Sequence, residues 1–194
     1  LSLDTDADAD DNTADSSSGR LAIGASGDLN LYHGGTNSYI VNSTGSLYIH
    51  SETDDSDIVF TGEDGSSGIT ALTLDMSAGG QATFNASVIA KTDTDTSNTG
   101  NVTLDFTANQ NFVLTLTGNT TLVNPSTETV GQSGFIAFIQ DGTGGRTVTL
   151  GTDYETAGSA GLSLTSTASA TDLVPYVVVA ANRILLGTPQ LAFG

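Results

Sequence analysis

Apolar residues enter this chain in short pulses separated by turn formers. From Arg20 to about Thr92 the pulses read LAI, LNLYH, SYIVN, SLYIH, DIVF, ITALTLDM and ATFNASVIA, and between them lie SG, GG, STG, EDGSSG and SAGG. Gly, Ser, Asn and Asp supply turn chemistry at every break. Pulses spaced roughly 8–12 residues apart predict many short strands. From TDTDTSNTG at 92–100 the character shifts to longer, more regularly alternating pulses: NVTLDFT, NFVLTLTG, TTLVNP, GFIAFIQDG, RTVTLG, LSLTS, DLVPYVVVA and RILLG. Val102, Leu104 and Phe106 are expected to share one face, as are Phe112, Leu114 and Leu116, and Val148 with Leu150. Asp141-Gly142 and Gly144-Gly145 are expected to close a hairpin between FIAFIQ and RTVTL, and Ala181-Asn182 another between PYVVVA and RILLG. A helical period of 3.6 persists nowhere.

These patterns predict an all-β chain in three parts. Residues 1–19 form an acidic linker or tether with nothing to bury after Leu3. Residues 20–92 form a shaft-like region of short repetitive strands. Residues 93–194 form an antiparallel β-sandwich or jelly-roll-like domain. GDLNLY at 27–32 aligns with GSLYIH at 45–50, an internal echo within the shaft-like region.

The shaft-like region has an energetic problem. Ordering a residue costs roughly 1–2 kcal/mol, while one buried Leu contributes about 1.5–3 kcal/mol. Strands carrying two or three apolar residues therefore need surface from elsewhere. Stacked solenoid rungs or three intertwined copies would supply it, and the short Thr- and Gly-rich strands favour a homotrimer. In FIAFIQ, Phe135, Ala137 and Ile139 face one way and Ile136 and Phe138 the other, so burial on both sides is expected. PYVVVA reads the same way, and one face of each strand is assigned to the intersubunit surface, where Asp at Ile136 or Phe138 would break the trimer.

Composition narrows the function. The 194 residues include 23 Gly, 3 Pro and no Cys or Trp, and 37% are hydrophobic. No apolar run reaches the roughly 18 residues of a membrane span. The opening LSLDTDADAD has no initiator Met and none of the basic and apolar regions of a signal peptide, which suggests a piece of a longer chain. With 22 acidic and 4 basic residues the net charge is −18, which repels polyanions and argues against nucleic-acid binding.

Candidate chemistry is sparse. His33 and His50 do not coincide in the aligned repeats, so one chain offers no shared metal site, although three copies of His33 around a trimer axis are conceivable. No G-x-S-x-G is present. Asp54-Asp55-Asp57 and Asp153/Glu155 are carboxylate groupings of the kind a glycosidase needs, but the chain lacks the long aromatic-lined segments of a depolymerase. Asp4, Asp6 and Asp8 occupy positions 1, 3 and 5 of a calcium-loop pattern with Asp15 at position 12. Ala9 stands where that loop requires Gly, so a solvated tether is the better reading. Asn42, Asn85, Asn101 and Asn119 open N-x-[ST] sequons, which arise readily by chance in such a sequence. The chain thus reads as no enzyme, with no catalytic, cofactor or metal residue assigned.

The wording of two segments adds a family. GDLNLYHGGTNSYIVNSTGSLYI resembles repeat text of tailed-bacteriophage fibre proteins, and NFVLTLTGNTTLVNPSTETVGQSGFIAFIQDGTGGRTVTL resembles a C-terminal module of phage tail and fibre proteins. The resemblance implies a trimeric all-β virion appendage that attaches to the host, with other virion proteins and a host surface glycan or protein as partners. A head fibre or capsid decoration protein, or a secreted calcium-binding adhesin module, are the alternatives. Receptor contacts are expected in loops 124–133 and 151–161, with Tyr154 as the aromatic that would stack on a sugar.

Overall fold

The computed structural model describes residues 20–25 and 27–194. Asp4, Asp6, Asp8 and Asp15, and with them the tether and calcium-loop expectations, lie outside the described residues. Among the described residues the chain is all-β, with one 3-10 turn at Ala157–Ser159. It divides into two units, one ending at Ala86 and the other spanning Ser87–Gly194.

The first unit contains two antiparallel three-stranded meanders. In one, β1 (Arg20–Ile23), β2 (Leu29–His33) and β3 (Ser38–Asn42) pair in sequence order. Tyr32 stacks on Tyr39 at 4.9 Å between ring centroids, and the Arg20 guanidinium lies 4.9 Å from the Tyr32 ring centre on that face. In the other, β4 (Ile58–Asp64), β5 (Ser67–Asp75) and β6 (Gln81–Phe84) pair likewise. The two residues between β4 and β5, Gly65 and Ser66, both have positive φ (56° and 76°), as a type I′ hairpin requires. SLYIH, expected as a strand, pairs with nothing among the described residues: residues 46–50 form no ladder and are exposed. The end of ATFNASVIA behaves the same way, with Val88 and Ile89 68% and 91% exposed.

The second unit is one eight-stranded sheet. Its strands are β7 (Thr92–Val102), β8 (Asn111–Leu122), β9 (Ser133–Gln140), β10 (Val148–Leu150), β11 (Tyr154–Thr156), β12 (Thr171–Ala180), β13 (Arg183–Leu186) and β14 (Gln190–Phe193). NFVLTLTG and TTLVNP are one strand: β8 runs unbroken through Gly118. Its first half pairs with β9 and its last three residues with β10, while β7 follows it along its length. β12 then pairs antiparallel with β9, β13 and β14, and β11 lies beside β13. Pro175, which cannot donate to a ladder, sits where the neighbour of β12 changes from β14, opposite Leu173, to β13, opposite Tyr176.

Pairing directions depart from the all-antiparallel expectation. β7, β9 and β10 each run parallel to β8, and β11 runs parallel to β13. The expected Ala181-Asn182 hairpin is present, with Ala180 opposite Arg183 and Asn182 at φ 58°. The expected β9–β10 hairpin is not, because loop 141–147 carries the chain past β9 to pair with β8 instead. TDTDTSNTG forms most of β7, an exposed polar strand whose ladder comes from β8, and its alternating threonines suit such an edge. Leu104 and Phe106 reach the core from the turn after β7, not from a strand. LSLTS is also not a strand, although Leu162 and Leu164 pack against the core.

The core is built from the even-numbered face of successive strands. Phe112, Leu114, Leu116, Ile136, Phe138, Val174, Val178 and Ile184 are each at most 1% exposed. Phe106, Phe112 and Tyr176 form an aromatic cluster with Phe106 at 5.0 and 5.3 Å from the other two. Burial pushes the Tyr176 hydroxyl up to about 12, and that hydroxyl donates to the Gln110 carbonyl at 2.6 Å. Placing Ile136 and Phe138 here corrects one expectation. They belong to the chain's own core, so an Asp at either would unfold the unit whatever its assembly.

Leu114→Ala should cost about 2–5 kcal/mol, read as a lowered melting temperature by calorimetry of the whole chain. Asp at exposed Thr147, by contrast, should stay within about 0.5 kcal/mol of the parent.

Candidate functional site

The QDGTGGR segment is a brace. Asp141 Oδ1 accepts hydrogen bonds from the Thr143 and Gly144 amides, and its carboxylate takes Arg146 at 2.8 Å through Nη2. Next to it the Gln140 side chain both donates to the Arg146 carbonyl and accepts from the Arg146 amide, in the manner of a strand pair. Gly144 has φ 73°, and a Cβ there would stand 2.5 Å from the Ser166 carbonyl, so only glycine lets the brace close on the 166–168 segment. Asp172, 2% exposed, accepts from the Thr165 amide and hydroxyl and from the Ala192 amide. Spacing gave no hint of this role, because the donors come from Thr165 on one side and Ala192 on the other, in segments with no motif that links them to Asp172.

The two loops expected to contact a receptor differ. Loop 124–133 is tied down along its length. Thr127 accepts from the Phe106 amide, Gln132 donates to the Phe106 and Asn109 carbonyls, and Glu128 accepts from the Asn182 amide. Asn124 joins the same cluster by bonding Thr152 and the Asp153 amide. Loop 151–161, in contrast, borders an open cavity of about 590 Å³ between β10, β11 and the segment ending at Leu162. Thr149, Thr152, Thr156 and Ser159 bring hydroxyls to its lining, and Val148, Leu150 and Leu162 bring apolar surface.

Tyr154 cannot serve as the expected sugar platform. It is 5% exposed and part of the core, since β11 turns it inward beside Ile184. Burial, with the charges of Asp153 and Glu128, raises its pKa above the ordinary tyrosine value. Its hydroxyl and Glu128 Oε2 are both buried without a hydrogen-bond partner.

The remaining candidates are dispersed. His33 Nδ1 lies 3.1 Å from the Ser38 hydroxyl across the β2–β3 ladder, while His50 is exposed in the unpaired 46–50 segment. Asp57 accepts from the Met76 amide, and Asp54 and Asp55 are exposed. Of the Asp153/Glu155 pair, Asp153 is 8% exposed and Glu155 is held by Arg183 at 2.7 Å. Arg183 keeps the Glu155 carboxyl below its ordinary value. Among the described residues no three His, Asp or Glu side chains converge as a metal site would need. Among the sequon asparagines, Asn42 donates to the Thr44 and Gly45 carbonyls and Asn119 accepts from the Thr147 amide, while Asn85 and Asn101 are exposed.

One further surface stands out in the second unit. On the face of β9 and β12 away from the core, Phe135 lies opposite Pro175 and Ala137 opposite Leu173. Phe135 and Ile139 are half-buried, and Val177 and Val179 are 37% and 39% exposed. This is the outer, apolar side of a sheet whose inner side is already full.

The unit is therefore an all-β structural domain whose polar side chains mostly brace loops. Residues 99–179, from the end of β7 to the end of β12, match the family described as "Putative phage tail fibre C-terminal domain". The match lies wholly within the second unit, covers less than half of the chain's 194 residues, and supports a phage tail fibre protein with a structural role. Neither the curated proteins nor the solved structures include a match to the chain.

The Asp141 brace should show in the acid limb of stability. The Arg146 guanidinium first, and then the Gly144 and Thr143 amides, hold its carboxyl below the ordinary value of 3.8. A depressed carboxylate contributes stability above its unfolded pKa and loses it as pH falls through the folded one. The melting temperature should therefore drop as pH is lowered below 3.8. Asp141→Asn should start lower at neutral pH and fall less steeply across the same titration.

Proposed function

We propose that this chain forms part of a homotrimeric tail fibre that attaches the virion to the host cell surface, and that the cavity beside loop 151–161 makes the receptor contact. The cavity is the observation that carries the reading. It lies beside one of the two loops expected to bind, it is open, and the hydroxyls of Thr149, Thr152, Thr156 and Ser159 share its lining with the Glu155 carboxylate and with apolar side chains. That mixture suits a polar surface ligand such as a glycan, which presents hydroxyls and C–H faces together. Loop 124–133 is occupied by its own bracing bonds and is the weaker candidate.

The trimer is supported by the surface the chain leaves uncovered. In the first unit Ile23, Ile40, Ile49, Phe60 and Phe84 are 46–63% exposed, and in the second Val177 and Val179 lie on the outer sheet face. Exposed apolar surface on this scale is characteristic of interfaces.

Purified protein should bind cells of the bacterium that the phage infects and should have a solution mass of three chains. Thr149→Trp, which puts a bulky ring at an exposed strand position of the cavity lining, should reduce cell binding at least about tenfold, or roughly 1.4 kcal/mol, without changing mass. Wild-type protein that fails to bind host cells would overturn the attachment reading. Full binding by Thr149→Trp would overturn the cavity as its site. Val177→Asp should weaken the trimer while leaving the fold of the single chain intact, because Val177 faces away from the core.

A further inference from the structure

The cavity beside loop 151–161 has one charged side chain in its lining, Glu155, among hydroxyls and apolar groups. Arg183 grips that carboxylate in a fork, Nε donating to Oε1 at 2.7 Å and Nη2 to Oε2 at 2.9 Å. The grip fixes the orientation of the carboxylate and holds its pKa below the ordinary 4.5, so it is ionised at neutral pH. Each oxygen keeps a second lone-pair site, and 38% of the side chain remains exposed. Among the described residues of this unit, no cation is left to receive an anion here. Residues 87–194 carry eight acidic side chains and three basic ones, Lys91, Arg146 and Arg183. Arg146 is held by Asp141 and Arg183 by Glu155. Lys91 lies at the far end of β8: its carbonyl accepts from the Asn111 amide at the start of that strand, whereas β10 pairs with Thr120–Leu122 at its end. At about 3.3 Å per residue the two points are roughly 30 Å apart.

We propose that this cavity takes a neutral glycan and that Glu155 is the residue that selects it. The two free lone-pair sites accept hydrogen bonds from adjacent ring hydroxyls, and the ionised acceptor makes those bonds stronger than a neutral one would. The same charge turns away uronate and phosphate groups, which would meet a carboxylate with no available counter-ion, so selection works by repulsion as well as by fit. The neighbouring threonine hydroxyls both donate and accept and complete the contacts. Arg183 acts through Glu155 as a positioning residue. The inference rests on the attachment reading above and adds the class of sugar and the group that reads it.

Surface polysaccharide of the host is prepared in three forms for titration against the whole chain. One is as extracted, one is neutralised by reducing carboxylates to alcohols and removing phosphates, and one has its primary hydroxyls oxidised to carboxylates. The neutralised form should bind at least as tightly as the extracted form, and the oxidised form at least about tenfold more weakly. Glu155→Gln should bind the neutralised form at least about tenfold more weakly than the parent does and should narrow the gap between the two forms. Its melting temperature should stay near the parent's, because an exposed ion pair contributes little. Binding lost on neutralisation, or undiminished by oxidation, would overturn the proposal and leave attachment standing. Parent-like binding of both forms by Glu155→Gln would equally sink it. A chain that binds host cells but none of the three polysaccharides would refute the glycan in favour of a protein receptor. Failure to bind host cells at all would overturn attachment itself, and this inference with it.

Discussion

The second unit depends on β8. Its twelve residues pair with β7 along one side, while β9 and then β10 take up successive stretches. Its side chains at Phe112, Leu114, Leu116 and Leu122 are all but fully buried. The strand thus supplies both the hydrogen-bond template for three neighbours and the central row of the core. Because those neighbours run parallel to β8, the chain must cross back between them, and segments 103–110, 123–132 and 141–147 do so. This explains why so much of the unit is loop and why the loops need internal support.

That support comes from small polar side chains. Asp141, Gln140, Gln132, Asn124 and Asp172 each hold backbone groups of a loop or of the segment that crosses it. Two of the four basic residues, Arg146 and Arg183, are paired with Asp141 and Glu155. The richness in Asn, Asp, Thr and Gly follows from the fold: crossovers without helices leave many backbone donors and acceptors for side chains to satisfy.

The first unit has the opposite balance. Tyr32 is its single buried hydrophobic residue among the described residues, and its two small meanders cannot enclose a core. Regular strands form where turn chemistry closes them, as at Gly65-Ser66, yet the apolar rows across them stay open. The same chain therefore holds a unit with its own core and another whose stability calls for surface from outside.

The sequence alone determined the strand-rich character, most strand positions, the Ala181-Asn182 hairpin and the fibre-like identity of the C-terminal half. Period-two alternation and turn residues act over a few positions, so they are legible locally. Partner choice was decided only by the tertiary structure. QDGTGGR looks like a hairpin turn, but Gln140 and Asp141 fold it into a brace that sends Val148–Leu150 to β8. TDTDTSNTG, apolar nowhere, marks in the sequence only a change of character, yet β8 offers it a ladder and it becomes most of β7. Tyr154 looks like a surface aromatic, and the parallel pairing of β11 with β13 turns it into the core. SLYIH carries the same pattern as β2 but finds no neighbour, and so it forms no strand. A strand exists only where a second strand is held beside it, and that depends on contacts between residues far apart in the chain.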